Sequence, residues 1–252
     1  MGSLRDQLEG RKMNSNNFRY KTDKEGLVVM GDIHCDWTQI SNFCKLVSDY
    51  CIVQLGDFGL GFIHPIKEYH QLKKLNKQLH ESNNELIVIR GNHDNPSRFL
   101  GKWVTDEILL ADDYHILNYK DKSIQLIGGG ISIDRSERVI GRSWWPREEV
   151  KFNPERVENV DYLFTHCAPT NAGLDKADTN TMVAHFHQVE QLQGGDLLRD
   201  LKIEQGFMQQ ISDLSECKKH IFGHYHVNHI YNDPRNGREY ICVPINGLRE
   251  IK

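Results

Sequence analysis

Asp32, His34, Asp57, Asn92, His166, His224 and His226 are the side chains of this sequence best suited to holding metal ions, and each stands just after a short apolar run. The runs end in LVVMGDIHCD, CIVQLGDFG, LIVIRGNHD, DYLFTHCAP and HIFGHYH. Asp32 and His34 lie two apart, so in an extended turn both can swing toward one point and offer an oxygen and a nitrogen to one cation. His224 and His226 repeat that spacing. Mixed carboxylate, carboxamide and imidazole donors suit Mn, Fe or Zn better than Mg or Ca, which favour oxygen shells; Ni and Mg are the outer candidates. Seven donors are too many for one ion with open positions, but they suit two divalent ions sharing a carboxylate about 3.5–4 Å apart. Asp57 is the expected bridge, as the single ligand of its loop.

Four positive charges against two aspartates and a hydroxide leave such a site positive and attractive to a phosphate. A water shared by the ions is the expected nucleophile, with the ions stabilising charge on the phosphoryl oxygens. His93, beside a ligand, is placed to protonate the departing oxygen as general acid, with Asp94 orienting its imidazole. The segment SIDRSERVIGRSWWPREE gathers Arg135, Arg138, Arg142, Trp144 and Trp145. Arg135 and Arg142 are expected to clamp phosphate while a tryptophan stacks a base; the plain alternative is a surface loop with two packing tryptophans. His187, in DTNTMVAHFH, is expected to cap the site.

The elements that must position these groups are legible in the same runs. Unalternated stretches of four to six Val, Ile and Leu residues bounded by turn signals read as strands buried on both faces. The spacing of Ile66, Tyr69, Leu72, Leu75 and Leu79 predicts a helix, and Asp196 to Leu214 carries a similar stripe. Strand alternating with helix implies α/β layering, with ligands gathered beyond the carboxyl ends of the strands. YHILNYKDKSIQLIGGGISI reads as a hairpin turning near Asp121, and HIYNDPRNGREYICV as one turning at Asn236-Gly237. A mixed sheet, or two sheets, follows.

At 252 residues and 38% hydrophobic content the chain can bury one full core. Residues 1–24 are polar and are set aside as a loose extension, partly a cloning remnant, leaving 25–252 as a single domain. A formal charge of −4 without a basic tract disfavours long nucleic acid, although a nucleic acid or nucleotide substrate is kept as an alternative. No apolar run approaches membrane-spanning length, six cysteines lack a CxxC pair and read as thiols, and a soluble cytoplasmic protein with no obligate protein partner is expected.

GDIH, GDFG, GNHD, the histidine of FTHCAP, and GHYH, in this order, resemble the signature blocks of the calcineurin-like metallophosphoesterase superfamily from Gly31 to about Val227. The resemblance implies a four-layer α/β sandwich, two mixed β-sheets flanked by α-helices. It implies Asp32, His34, Asp57 and His226 on a first metal, Asp57, Asn92, His166 and His224 on a second, and His93 with Asp94 as the catalytic pair. The superfamily's protein serine/threonine phosphatases carry Asp-Arg-Gly after the second block and Glu after the third block's His, where this chain has GDFGLGF and GNHD. A protein serine/threonine phosphatase is therefore not expected; the blocks imply a metal-dependent phosphatase or phosphodiesterase, with a nuclease or nucleotide phosphodiesterase as the near alternative. A binding scaffold that has lost the chemistry is the distant one, since it would be expected to lack ligands or His93.

Overall fold

The computed structural model describes residues 18–174 and 180–252. The five runs are strands, β2 (Gly26–Met30), β3 (Tyr50–Gln54), β4 (Glu85–Val88), β9 (Tyr162–Thr165) and β10 (Lys219–Phe222). The first three pair in parallel within a six-stranded sheet. β6 (Ile108–Leu110) continues it in parallel, while β5 (Lys102–Trp103) and β13 (Leu248–Glu250) close its rims antiparallel. β9 and β10 lie side by side in a seven-stranded sheet with β1 (Arg19–Thr22), β7 (His115–Tyr119), β8 (Lys122–Ile127), β11 (His229–Asn232) and β12 (Glu239–Cys242), ordered β1-β7-β8-β9-β10-β12-β11.

Period-two alternation builds the layers. Leu27, Val29, Cys51, Val53 and Ile87 of one sheet meet Leu117, Ile124, Leu126, Phe164, Ile221 and Ile241 of the other in a core between the sheets. The intervening residues Val28, Met30, Ile52, Leu86 and Val88 face outward onto α1 (Thr38–Leu46) and α2 (Pro65–Glu81). Ile116, Ile127 and Leu163 pack outward against Met208 and Ile211 of α4 (Leu197–Leu214), next to which lies α3 (Asn180–Leu192). The result is the four-layer sandwich expected from the blocks.

Three sequence expectations shift. The helix stripe is rotated: Ile66 and Tyr69 are 62% and 61% exposed, and the buried line is Glu68, Leu72, Leu75, Leu79. Glu68 is drawn in because its carboxylate accepts the Gly61 N–H at 2.7 Å and pairs with Arg98 at 2.9 Å. The set-aside extension is shorter than 1–24, since Arg19–Thr22 pairs with β7; residues 1–17 lie outside the described residues. The β7/β8 hairpin turns at Lys120-Asp121 as expected, but β11 and β12 are joined by the six residues 233–238, braced by the Asp233 carboxylate on the Arg235 N–H, rather than by a tight Asn-Gly turn.

Candidate metal centre

Each expected ligand leaves its strand at the carboxyl end: Asp32 two residues past β2, Asp57 three past β3, Asn92 four past β4, His166 directly after β9, His224 two past β10. The glycine before a ligand is what lets neighbouring loops close. A Cβ on Gly91 would land on the amide and carboxylate of Asp57, and one on Gly223 on the carboxylate of Asp32. The backbone is bent at the candidate ligands, for His34, Asp57, His224 and His226 all have left-handed φ between 42° and 67°. Such conformations cost on the order of 1–3 kcal/mol each in non-glycine residues and cluster where a site must be held in shape.

The seven side chains are brought together as two donor sets sharing one residue. Asp32, His34, Asp57 and His226 form one and Asp57, His166 and His224 the other, with the ligand atoms of each set within 4.8 Å of one another. Asn92 joins the second set, its Oδ1 lying 2.9 Å from His166 Nε2. In the first, His34 Nε2 and His226 Nε2 face each other at 3.0 Å, and His226 Nε2 is 3.0 Å from Asp32 Oδ2. Buried carboxylates crowded together with imidazole nitrogens, those of His34, His224 and His226 partly open to solvent, fit borderline divalent ions, and Cys35 and Cys167 are not needed.

Charge within the site follows the same division. Burial would push the Asp57 carboxyl up, but His166, by charge and hydrogen bond, holds it well below the usual range. Burial likewise opposes protonation of His166, yet Asp57 and then Asp32 raise it to about 9. The hydrogen bond that the Asp32 carboxylate accepts from His226 raises His226, whereas burial and then His166 lower His224 to about 3. A proton held on His166 would thus stand where the second donor set would receive a cation, and binding a cation there would release it.

The surroundings of His93 differ from expectation. Asp94 does not orient the imidazole: its buried carboxylate accepts the backbone N–H groups of Phe58, Gly59, Leu60 and Gly91, tying the second block to the third. The His93 ring stacks on Phe62, whose other neighbour is Trp145, and its Nε2 is 2.6 Å from Arg138 Nη2. A guanidinium only donates, so Nε2 accepts. Burial first, then Arg138, bring His93 down to about 4 against the pull of Asp57, leaving it neutral.

Of the arginines in this segment it is Arg138, and not the expected Arg135 or Arg142, that meets His93, with only 10% of its side chain exposed. It is anchored through Nε on Asp134 at 2.7 Å and through Nη1 on Ser132 Oγ at 3.1 Å. Ser132 also accepts from Asn92 Nδ2 at 3.1 Å and is held by both carboxylate oxygens of Glu148, itself raised by burial to about 7. Arg135 is engaged elsewhere, by Glu190 of α3 and Asp200 of α4. Arg142 is exposed on the loop, and His187 Nδ1 sits 3.9 Å from Asp196, the N-cap of α4. Phe62, Ser132 and Glu148 escape a reading by residue type, because nothing local marks a phenylalanine, serine or glutamate as a partner of a distant block.

A two-sheet sandwich that gathers aspartate, asparagine and histidine at the carboxyl ends of five parallel strands defines a metal-binding hydrolase scaffold. The model of the calcineurin-like phosphoesterase family matches residues 27–228, most of the chain, and the chain belongs to that family. No curated protein matches it significantly. Similar solved structures include the cold-active protein-tyrosine phosphatase of a psychrophilic Shewanella species, at 14% identity and TM-score 0.36, over 92% of this chain and 74% of that one. A point mutant of a cold-active protein tyrosine phosphatase aligns at 16% identity and TM-score 0.35 over the same shares.

Proposed function

We propose that this chain hydrolyses phosphoric esters with two divalent ions that share Asp57. The observation that carries the reading is the pair of donor sets with Asp57 common to both. Asp32, His34 and His226 would complete one set and Asn92, His166 and His224 the other, with Mn, Fe or Zn the best match to the donors. Bound there, such ions supply Lewis-acid charge that acidifies a water and offsets charge on phosphoryl oxygens.

The remaining work falls to the chain itself. The Asp57 carboxylate is fixed by the His93 N–H at 2.8 Å, so the bridging position is set before any cation arrives. Arg138 presents donors at the edge of the centre and receives the phosphoryl group. A phosphate that takes the Arg138 N–H from His93 gives the imidazole an anionic neighbour in exchange for a cationic one. That exchange favours a proton on His93 and fits it to protonate the leaving oxygen. Phe62 and Trp145 wall the His93 side, and the exposed Arg142 on the same loop would meet the leaving group.

The test is to strip the protein of metal, restore Mn, Fe, Zn, Ni or Mg separately, and follow p-nitrophenyl phosphate and bis-p-nitrophenyl phosphate. Turnover should return with metal and fall at least about 100-fold in Asp57→Asn, more than a change behind the ligands costs. Faster monoester hydrolysis identifies a phosphatase, faster diester hydrolysis a phosphodiesterase. Turnover that survives both chelation and the Asp57→Asn change would overturn the reading.

A further inference from the structure

Ser132 follows the Gly128–Gly130 run that leaves β8, and its side chain is fully enclosed. A hydroxyl has one hydrogen to give and two lone pairs to receive. Here both lone pairs are taken, by Asn92 Nδ2 at 3.1 Å and Arg138 Nη1 at 3.1 Å. Its hydrogen must therefore go to Glu148 Oε2, 2.7 Å away, while Glu148 Oε1 accepts the Ser132 backbone N–H at 2.7 Å. The hydroxyl is saturated and cannot rotate without breaking a bond.

That saturation has a directional consequence. A carboxamide presents nitrogen on one side and oxygen on the other, so pinning Asn92 Nδ2 to Ser132 points Oδ1 at His166 Nε2, 2.9 Å away and inside the second donor set. Turned over, Asn92 would aim two N–H groups at a site built for a cation. We propose that Ser132, locked by Glu148, is a positioning residue that selects the metal-competent face of Asn92 and thereby sets affinity at the site of His166 and His224. The inference rests on the two-ion reading of the centre.

The same hydroxyl holds Arg138, whose Nη2 meets His93. One buried group thus aligns a ligand of one donor set with the phosphate-receiving side of the pocket.

The test is Mn titration of metal-free protein, read by calorimetry and by the electron paramagnetic resonance signal of an exchange-coupled Mn pair. Wild type should take two ions. Ser132→Ala should keep the ion of Asp32, His34 and His226 at unchanged affinity and bind the second about 10–100-fold more weakly, with the coupled signal lost at low Mn. Glu148→Gln should act alike, because its amide would donate into a hydroxyl that already accepts twice. Added to Asn92→Ala, Ser132→Ala should have no further effect, since its influence runs through that amide. If folded Ser132→Ala and Glu148→Gln, checked by near-ultraviolet circular dichroism, bind both ions as wild type does, or if Ser132→Ala weakens binding equally without Asn92, the inference is overturned while the two-ion reading stands. A wild type that binds no pair overturns both.

Discussion

His115 on β7 is buried, and neither ring nitrogen has a hydrogen-bond partner among the described residues. Burial, with Arg156 nearby, lowers it to about 4. His220, also buried, is lowered to about 3, but its nitrogens meet Thr165 and Ser212 at 2.8 and 3.1 Å. An unfolded chain takes up protons on both imidazoles below about pH 6.5, while the folded protein keeps His115 neutral until pH approaches 4 and His220 until it approaches 3. Both therefore contribute stability that is present above pH 6.5 and is lost as pH falls, toward 4 for His115 and toward 3 for His220. His115→Phe should flatten this loss and raise stability by about 1–3 kcal/mol, because an unsatisfied buried polar group is removed. Urea denaturation across pH 4–7 measures it; parallel wild-type and variant curves, with no gain, would contradict the account.

At the scale of elements, the strands are less unusual than the loops that follow them. Asp94 joins two of these loops by accepting four backbone N–H groups, two on each carboxylate oxygen. Asp94→Asn puts an N–H₂ where an oxygen accepted, leaving facing donors unpaired at about 1–3 kcal/mol each. Stability should drop by that order, and Mn should bind more weakly, because Asp57 and Asn92 ride on the joined loops. Unchanged denaturation and Mn titration would sink this role. The strands themselves are legible in the sequence because a strand buried on both faces reads as an unbroken apolar run. The face of α2 is not, since Glu68 is buried through partners at Gly61 and Arg98 that no periodicity reveals. Asp94 is misread for a related reason: adjacency to His93 in the chain does not place its carboxylate against the imidazole.

For the whole molecule, the centre exists only because two sheets pack face to face. Asp32, His34, Asp57 and Asn92 come from the six-stranded sheet, and His166, His224 and His226 from the seven-stranded one. Neither sheet alone supplies a complete donor set, so the inter-sheet core of Val29, Val53, Phe164 and Ile221 also holds the site together. The seven candidate side chains could be picked out by residue type because they fall at strand ends, where this topology gathers side chains. The network of Arg138, Ser132 and Glu148 could not, since it depends on where a long loop returns. Among the described residues no helix is long and apolar enough to cross a membrane. The most direct test of the central claim is anomalous scattering from crystals grown with Mn. Two peaks about 3.5–4 Å apart, with the Asp57 carboxylate between them, are the predicted result. A single peak, or two that do not share Asp57, would contradict it.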